Sequence, residues 1–181
     1  MTELPHKAPA GVITMNPPTL TLDTNLLHEY WKQRDKSEVV ERLLLLAEQG
    51  KVDLAVTARV HEDVPRPPLA HKLDELRQLG VRKTGSVTRL GFWVLGRDML
   101  GNEAFHSFHP TASELAQQFG KKPPDWRDWD HLHAHYLLRR DAFLTWDGGI
   151  VCLAETLKDR FGIVVMRPEE YLQALGAEED A

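Results

Sequence analysis

The stretch from Asp128 to Ile150, DWDHLHAHYLLRRDAFLTWDGGI, decides how the rest of the chain is read. An acidic start leads into an amphipathic helix that runs through Arg140, then a short apolar strand, Ala142-Phe143-Leu144-Thr145. A second acid, Asp147, follows, with Gly148 and Gly149 behind it. A strand that closes on Thr-x-Asp ahead of a glycine turn sets a carboxylate at the carboxyl edge of a sheet, where open α/β sheets bind ligands. The weight of this reading rests on whether other strands end in acids as well.

Two upstream segments do. Thr19-Leu20-Thr21-Leu22 alternates polar and apolar residues and ends in Asp23-Thr24-Asn25, which opens a helix over Leu26 to Arg34. Thr24 or Asn25 is placed to cap that helix, and Asp23 taken alone reads equally well as a cap. A helix from Ser37 to Gln49, closed by Gly50, leads to a second strand, Lys51 to Thr57, whose near-continuous apolar centre fits a buried parallel sheet. Thr57 caps a short helix, Ala58 to Val64, stopped by Pro65, Pro67 and Pro68, so Glu62 and Asp63 fall between one and two turns beyond the strand.

Downstream of the opening stretch, Ile150 to Phe161 reads as a helix ended by Gly162, Ile163 to Met166 as an apolar strand, and Pro168 to Leu175 as a last helix with proline at its first position. In the middle, His71 to Leu79 and Thr111 to Phe119 are helical in pattern, with irregular or extended chain between them. The expected organisation is a flexible arm over 1–18, one domain over 19–176 with an excursion at about 65–124, and an acidic tail over 177–181. Strands alternating with helices predict an α/β fold, a parallel sheet covered on both faces.

A chain of 181 residues with 42% hydrophobic and 27% charged residues can bury a core in one domain. No apolar run is long enough to span a bilayer, and the first residues lack an apolar signal core. One cysteine, Cys152, excludes an intramolecular disulfide, and together these features predict a cytoplasmic protein. A net charge of -5 argues against coating nucleic acid through global charge, while leaving room for a local basic groove.

Two carboxylates at about 4 Å repel by roughly 4 kcal/mol even with generous screening. Several acids meeting at one edge therefore take up protons or bind a hard cation. Oxygen ligation favours Mg²⁺ or Mn²⁺ with room left for a phosphate. The plainer alternative is that these acids are caps and solvated surface.

The order D-T-N after the first strand, an acid after the second, Asp130 with Ala134 four residues on, and Phe143-Leu144-Thr145-x-Asp147 resembles the PIN-domain ribonucleases, a family that includes toxins of toxin–antitoxin pairs. The resemblance runs from Leu20 to about Leu175, outside much of the middle excursion. It implies a PIN-like three-layer α/β/α sandwich and a Mg²⁺- or Mn²⁺-dependent endoribonuclease acting on single-stranded RNA. An antitoxin protein is implied as a partner for toxin-type members, and a homodimer is compatible with it. Matched motif by motif, Asp23, the acid of the second helix, Asp130 and Asp147 are the implied catalytic carboxylates; Asp23, Asp130 and Asp147 are the metal ligands, and Asn25 and Thr145 support them. Glu62 matches the second acid in residue type and Asp63 in its distance from Thr57, so both are carried. A non-catalytic PIN-like module that binds RNA or protein is the alternative. A phospho-acceptor domain fits less well, since the Asp147 turn has Thr145 where D-x-D chemistry needs an acid.

The remaining polar residues have plainer expectations. His131 and His135 share a helical face, but no neighbouring Cys or H-E-x-x-H spacing completes a zinc site, so the three histidines at 131, 133 and 135 read as surface or supporting residues. His135 is a candidate to orient a carboxylate or touch a phosphate, and Asp128 reads as a helix cap that can assist the metal site. Asp141 reads as structural, held from the Arg139-Arg140 side. The basic residues Arg82, Lys83, Arg89, Arg97, Lys121 and Lys122 read as solvated; if the nuclease reading holds, some should line an RNA path, with Trp93, Trp126 and Trp129 as candidates for stacking on bases. Trp31, Trp146 and Cys152 read as packing residues.

Overall fold

The structure, a computed structural model, describes residues 16–57, 59–63, 71–84 and 126–179. The described strands are β1 (Thr19–Leu22), β2 (Asp53–Thr57), β3 (Arg82–Thr84), β4 (Ala142–Leu144) and β5 (Val165–Met166). The described helices are α1 (Thr24–Trp31), α2 (Ser37–Glu48), α3 (Val60–Asp63), α4 (Lys72–Gln78), α5 (Trp126–Leu137), α6 (Gly148–Val151), α7 (Ala154–Phe161) and α8 (Pro168–Glu179). The expected arm up to residue 15, much of the excursion and residues 180–181 lie outside the described residues.

The strands form one parallel sheet in the order β3-β2-β1-β4-β5. From β1 the chain first builds outward through β2 and β3, then returns to the other side of β1 to add β4 and β5. The direction of growth therefore reverses between β1 and β4, and the crevice at the carboxyl ends of those two strands is the topological switch point.

Side-chain alternation assigns the two faces of the sheet. Leu20, Leu22, Leu54, Val56, Ala142 and Leu144 join one core with Leu26, Leu27, Val40 and Leu43 of α1 and α2 and Leu172 of α8. Phe143, fully buried between Ala142 and Leu144 in sequence, points the other way, into a second core with Leu132 of α5, Ile150 of α6 and Leu157 of α7. Helices thus cover both faces, as the succession of elements predicts. Thr21 and Thr57 also face the second side, where they meet α5.

Several boundaries differ from those read in the sequence. Helix α5 starts at Trp126, so Asp128 lies in its first turn and is not its cap. The segment expected as one helix from Ile150 divides into α6 and α7, because Asp147 caps a new turn at Gly148. Strand β5 holds two of the four expected residues, and α8 continues to Glu179, beyond the Leu175 expected. No helix among the described residues is long and apolar enough to cross a membrane.

Candidate metal centre at the carboxyl edge

The register places the site. Leu22 pairs with Val56 on one side and with Leu144 on the other. One residue further along come Asp23, Thr57 and Thr145, all three buried. The Asp23 amide continues the ladder by donating to the Leu144 carbonyl at 3.0 Å. Asp23 occupies the N-cap position of α1, yet its side chain makes no capping bond to the helix. Its Oδ2 instead accepts from Thr145 Oγ1 at 2.5 Å and from Asn25 Nδ2 at 2.8 Å.

Thr145 ties the two ends of the site together. Its hydroxyl donates to Asp23 while accepting from Asn25 Nδ2 at 3.0 Å and from the Asp147 amide at 2.9 Å. Asp147 is held by its own helix: its Oδ1 accepts from the Ile150 amide at 3.0 Å, the bond of an N-cap. Burial raises the pKa of Asp23 above the usual carboxylate value, and the Asp147 charge adds to that rise against the lowering effects of His131, Thr145 and Thr24. The structure therefore brings Asp23 and Asp147 to the same rim, with Asn25 and Thr145 between them.

Asp63 reaches that rim from α3, at 3.3 Å from Thr24 Oγ1. Its stronger partner is His131, whose Nε2 stands 2.8 Å from Asp63 Oδ2, while its Nδ1 is 2.5 Å from Thr57 Oγ1. Burial disfavours a charged imidazole, but the bond to Asp63 and the negative charges of Asp23, Asp63 and Asp128 outweigh it and raise the His131 pKa. Burial likewise works to raise Asp63, and is overcome by the His131 bond and charge and by Arg59, leaving that carboxyl below its usual range. The acids thus favour the protonated form of His131 from within the fold.

Asp130 is buried and engaged on the far side of the same network. Its Oδ2 lies 3.5 Å from Arg59 Nη1, and the Nε of that arginine is 3.9 Å from Asp63 Oδ1. Arg59 so stands between Asp130 and Asp63. Among the described residues, no three His, Cys, Asp or Glu side chains are grouped as a ready metal cage. The side chain of Glu62 lies outside the described residues.

Several other expectations are corrected. His131, His133 and His135 are buried and not on the surface: His131 and His135 meet Thr57 and Thr21 of the sheet, His131 also supports Asp63, and His133 stacks on Tyr136. His135 does not orient an acid of the site. Its Nδ1 is 2.9 Å from Thr21 Oγ1, and its ring meets Phe143 edge-on at 5.7 Å. Burial, helped by Arg140, lowers its pKa to about 4.

Trp129 is a core residue and cannot stack on a base. Cys152 is exposed and donates to the Gly149 carbonyl at 3.0 Å. Asp141 is structural as expected, but its Oδ2 accepts from the Thr19 amide and hydroxyl, both at 2.7 Å. Arg82 is tied to Asp53. Arg89, Arg97, Lys121, Lys122 and Trp93, with the side chains of Lys83 and Trp126, lie outside the described residues.

Sequence reasoning missed the pairing of His131 with Asp63 and the placement of Arg59. What the sequence did signal is the burial of His131 and His135, through two threonines, Thr21 and Thr57, at inward-facing strand positions. A buried hydroxyl needs a partner, and His131 and His135, four apart on one helical face, supply two. No protein-family model matches this chain, and no curated protein matches it.

Proposed function

We propose that the chain is a PIN-like, divalent-metal-dependent endoribonuclease that hydrolyses single-stranded RNA at the crevice between β1 and β4. The observation that carries this reading is the meeting of Asp23 and Asp147 at the switch point of a parallel sheet, with Asp63 reaching the same rim. That crevice is where this class of sheet takes its ligands.

The donor set fits a hard cation. Asp23 is a buried carboxylate raised in pKa, so a positive charge beside it relieves a standing cost. Next to it, the buried Oδ1 of Asn25 has no hydrogen-bond partner. Asp23 and Asp147 would hold the ion, with Asp63, Asp130 or Glu62 as further carboxylates. When bound, such an ion supplies charge neutralisation at the phosphodiester and a water of lowered pKa. The chain's own contribution is positional. Thr145 and Asn25 fix one oxygen of Asp23, the α6 cap fixes one oxygen of Asp147, and His131 holds Asp63 close by. A single-stranded RNA labelled at one end tests the reading: Asp23→Asn should abolish Mn²⁺-dependent cleavage while circular dichroism is unchanged. An undiminished rate in the purified variant removes the proposal.

A second reading, a non-catalytic PIN-like module, is favoured by one specific feature. Asp63 already bonds to His131 and Asp130 pairs with the Arg59 guanidinium, so two of the acids have partners within the protein. In that reading the acids are a polar core and the surface binds RNA or protein.

A further inference from the structure

At the amino edge of the sheet, opposite the acids, lies a cleft of about 380 Å³. It is lined by the end of α5 and the chain leading into β4 (His135, Tyr136, Arg139, Arg140, Asp141), and across from them by Phe161 to Ile163. Its volume lies within the range of small-ligand pockets. Strand β1 separates it from Asp23 by four residues, roughly 13 Å of extended chain.

The corner that forms one wall differs from the other described corners that lead into strands. Among the described residues, each of the corners leading into β2, β3 and β5 carries a glycine of positive φ: Gly50 at +70°, Gly80 at +80° and Gly162 at +69°. The corner between α5 and β4 puts Arg139 there, at φ +49°; the other non-glycine residue of positive φ among the described residues, Gln33 at +47°, lies between α1 and α2 and uses its side chain on the Tyr30 carbonyl. A side chain in that region costs on the order of 1 kcal/mol that glycine does not. An arginine at a position glycine fills elsewhere in the same fold points to a use for its side chain.

The surroundings indicate what that use is. The Arg139 side chain has no hydrogen-bond or ion-pair partner among the described residues, and the residue is exposed and lines the cleft. Arg140 beside it is nine-tenths buried, with Nη2 on the Leu20 and Asp53 carbonyls and Nε without a partner. The acids nearby are already engaged. Asp141 Oδ2 takes both donors of Thr19, and Asp53 pairs with Arg82 and Arg140. Tyr136 and Phe161, edge to face with centroids 6.4 Å apart, form an aromatic wall.

We propose that this cleft binds a small ligand carrying an oxyanion on a flat ring, with Arg139 as its main anchor and the Tyr136–Phe161 wall against the ring. The oxyanion is a carboxylate or a phosphate monoester, and both suit the planar fork of an arginine.

Calorimetric titration of the full chain with benzoate, phenyl phosphate and inorganic phosphate tests it. At least one of the two ring-bearing probes should bind, more tightly than inorganic phosphate, and the better of them identifies the oxyanion. Arg139→Gly keeps the corner's backbone geometry while deleting the guanidinium, so it should fold at least as stably as the wild type and bind that probe roughly tenfold more weakly, or worse. Asp23→Asn should bind it as the wild type does, because the acids lie across the sheet. No heat from either ring-bearing probe, or undiminished binding by a folded Arg139→Gly, overturns the proposal. Inorganic phosphate binding as tightly as phenyl phosphate removes the role of the ring.

Discussion

His131 and His135 sit one helical turn apart on α5, both buried against strand threonines, yet their pKa values are driven in opposite directions. His131 faces acids, and its pKa is raised. A raised histidine stabilises the fold fully below its unfolded value near 6.5, and that contribution is lost as pH rises through the folded value. His135 faces Thr21, Phe143 and Arg140, and burial lowers it to about 4. The folded chain then binds fewer protons than the unfolded one between pH 6.5 and 4, so acid removes stability, by roughly 3 kcal/mol across that window. Glutamine can keep the bond to Thr21 without titrating. His135→Gln should therefore gain about that much relative to wild type when urea unfolding is compared at pH 7 and pH 4. His131→Gln should instead flatten the loss above pH 6.5. A pH dependence in His135→Gln identical to wild type would show that the imidazole is not buried as described.

The element that turns this chemistry into a site is the β4–α6 junction, Thr145-Trp146-Asp147-Gly148. Asp147 has a local task, capping α6 through Ile150, and a proposed task at the rim. The two separate by mutation. Asp147→Asn keeps a capping oxygen, whereas Asp147→Ala removes it and should cost about 1 kcal/mol more in thermal or urea unfolding. Both should lose Mn²⁺-dependent cleavage; equal stability of the two variants would contradict the cap. Trp146 between them is anchored from outside, its Nε1 donating to Glu169 of α8 at 2.8 Å with Lys36 Nζ 4.7 Å from its ring centre. This junction was readable in advance because an apolar strand, a threonine, an acid and two glycines each carry a strong local preference. Strand β3 was not. Arg82-Lys83-Thr84 has no apolar residue and forms at the sheet edge, where charged side chains are common and pattern carries little information.

For the molecule as a whole, what the sequence could show was the alternation of strands and helices apart from β3 and the α6–α7 division, and the acids that follow β1, β2 and β4. What it could not show was how those acids are compensated. Asp63 finds His131 across 68 residues, and Asp130 finds Arg59. Neither pairing leaves a trace in local spacing, because each arises only when α5 is laid on the sheet. The three-dimensional arrangement leaves Asp23 and Asp147 together at the switch point, with positive groups of the protein already drawn toward their neighbours. Whether a divalent ion joins that balance separates the nuclease from the module. Calorimetric titration of the full chain with Mn²⁺ at pH 7.5, beside Asp23→Asn, measures it directly. The nuclease reading predicts saturable uptake by the wild type that Asp23→Asn abolishes; no uptake by the wild type, or equal uptake by both, would contradict it.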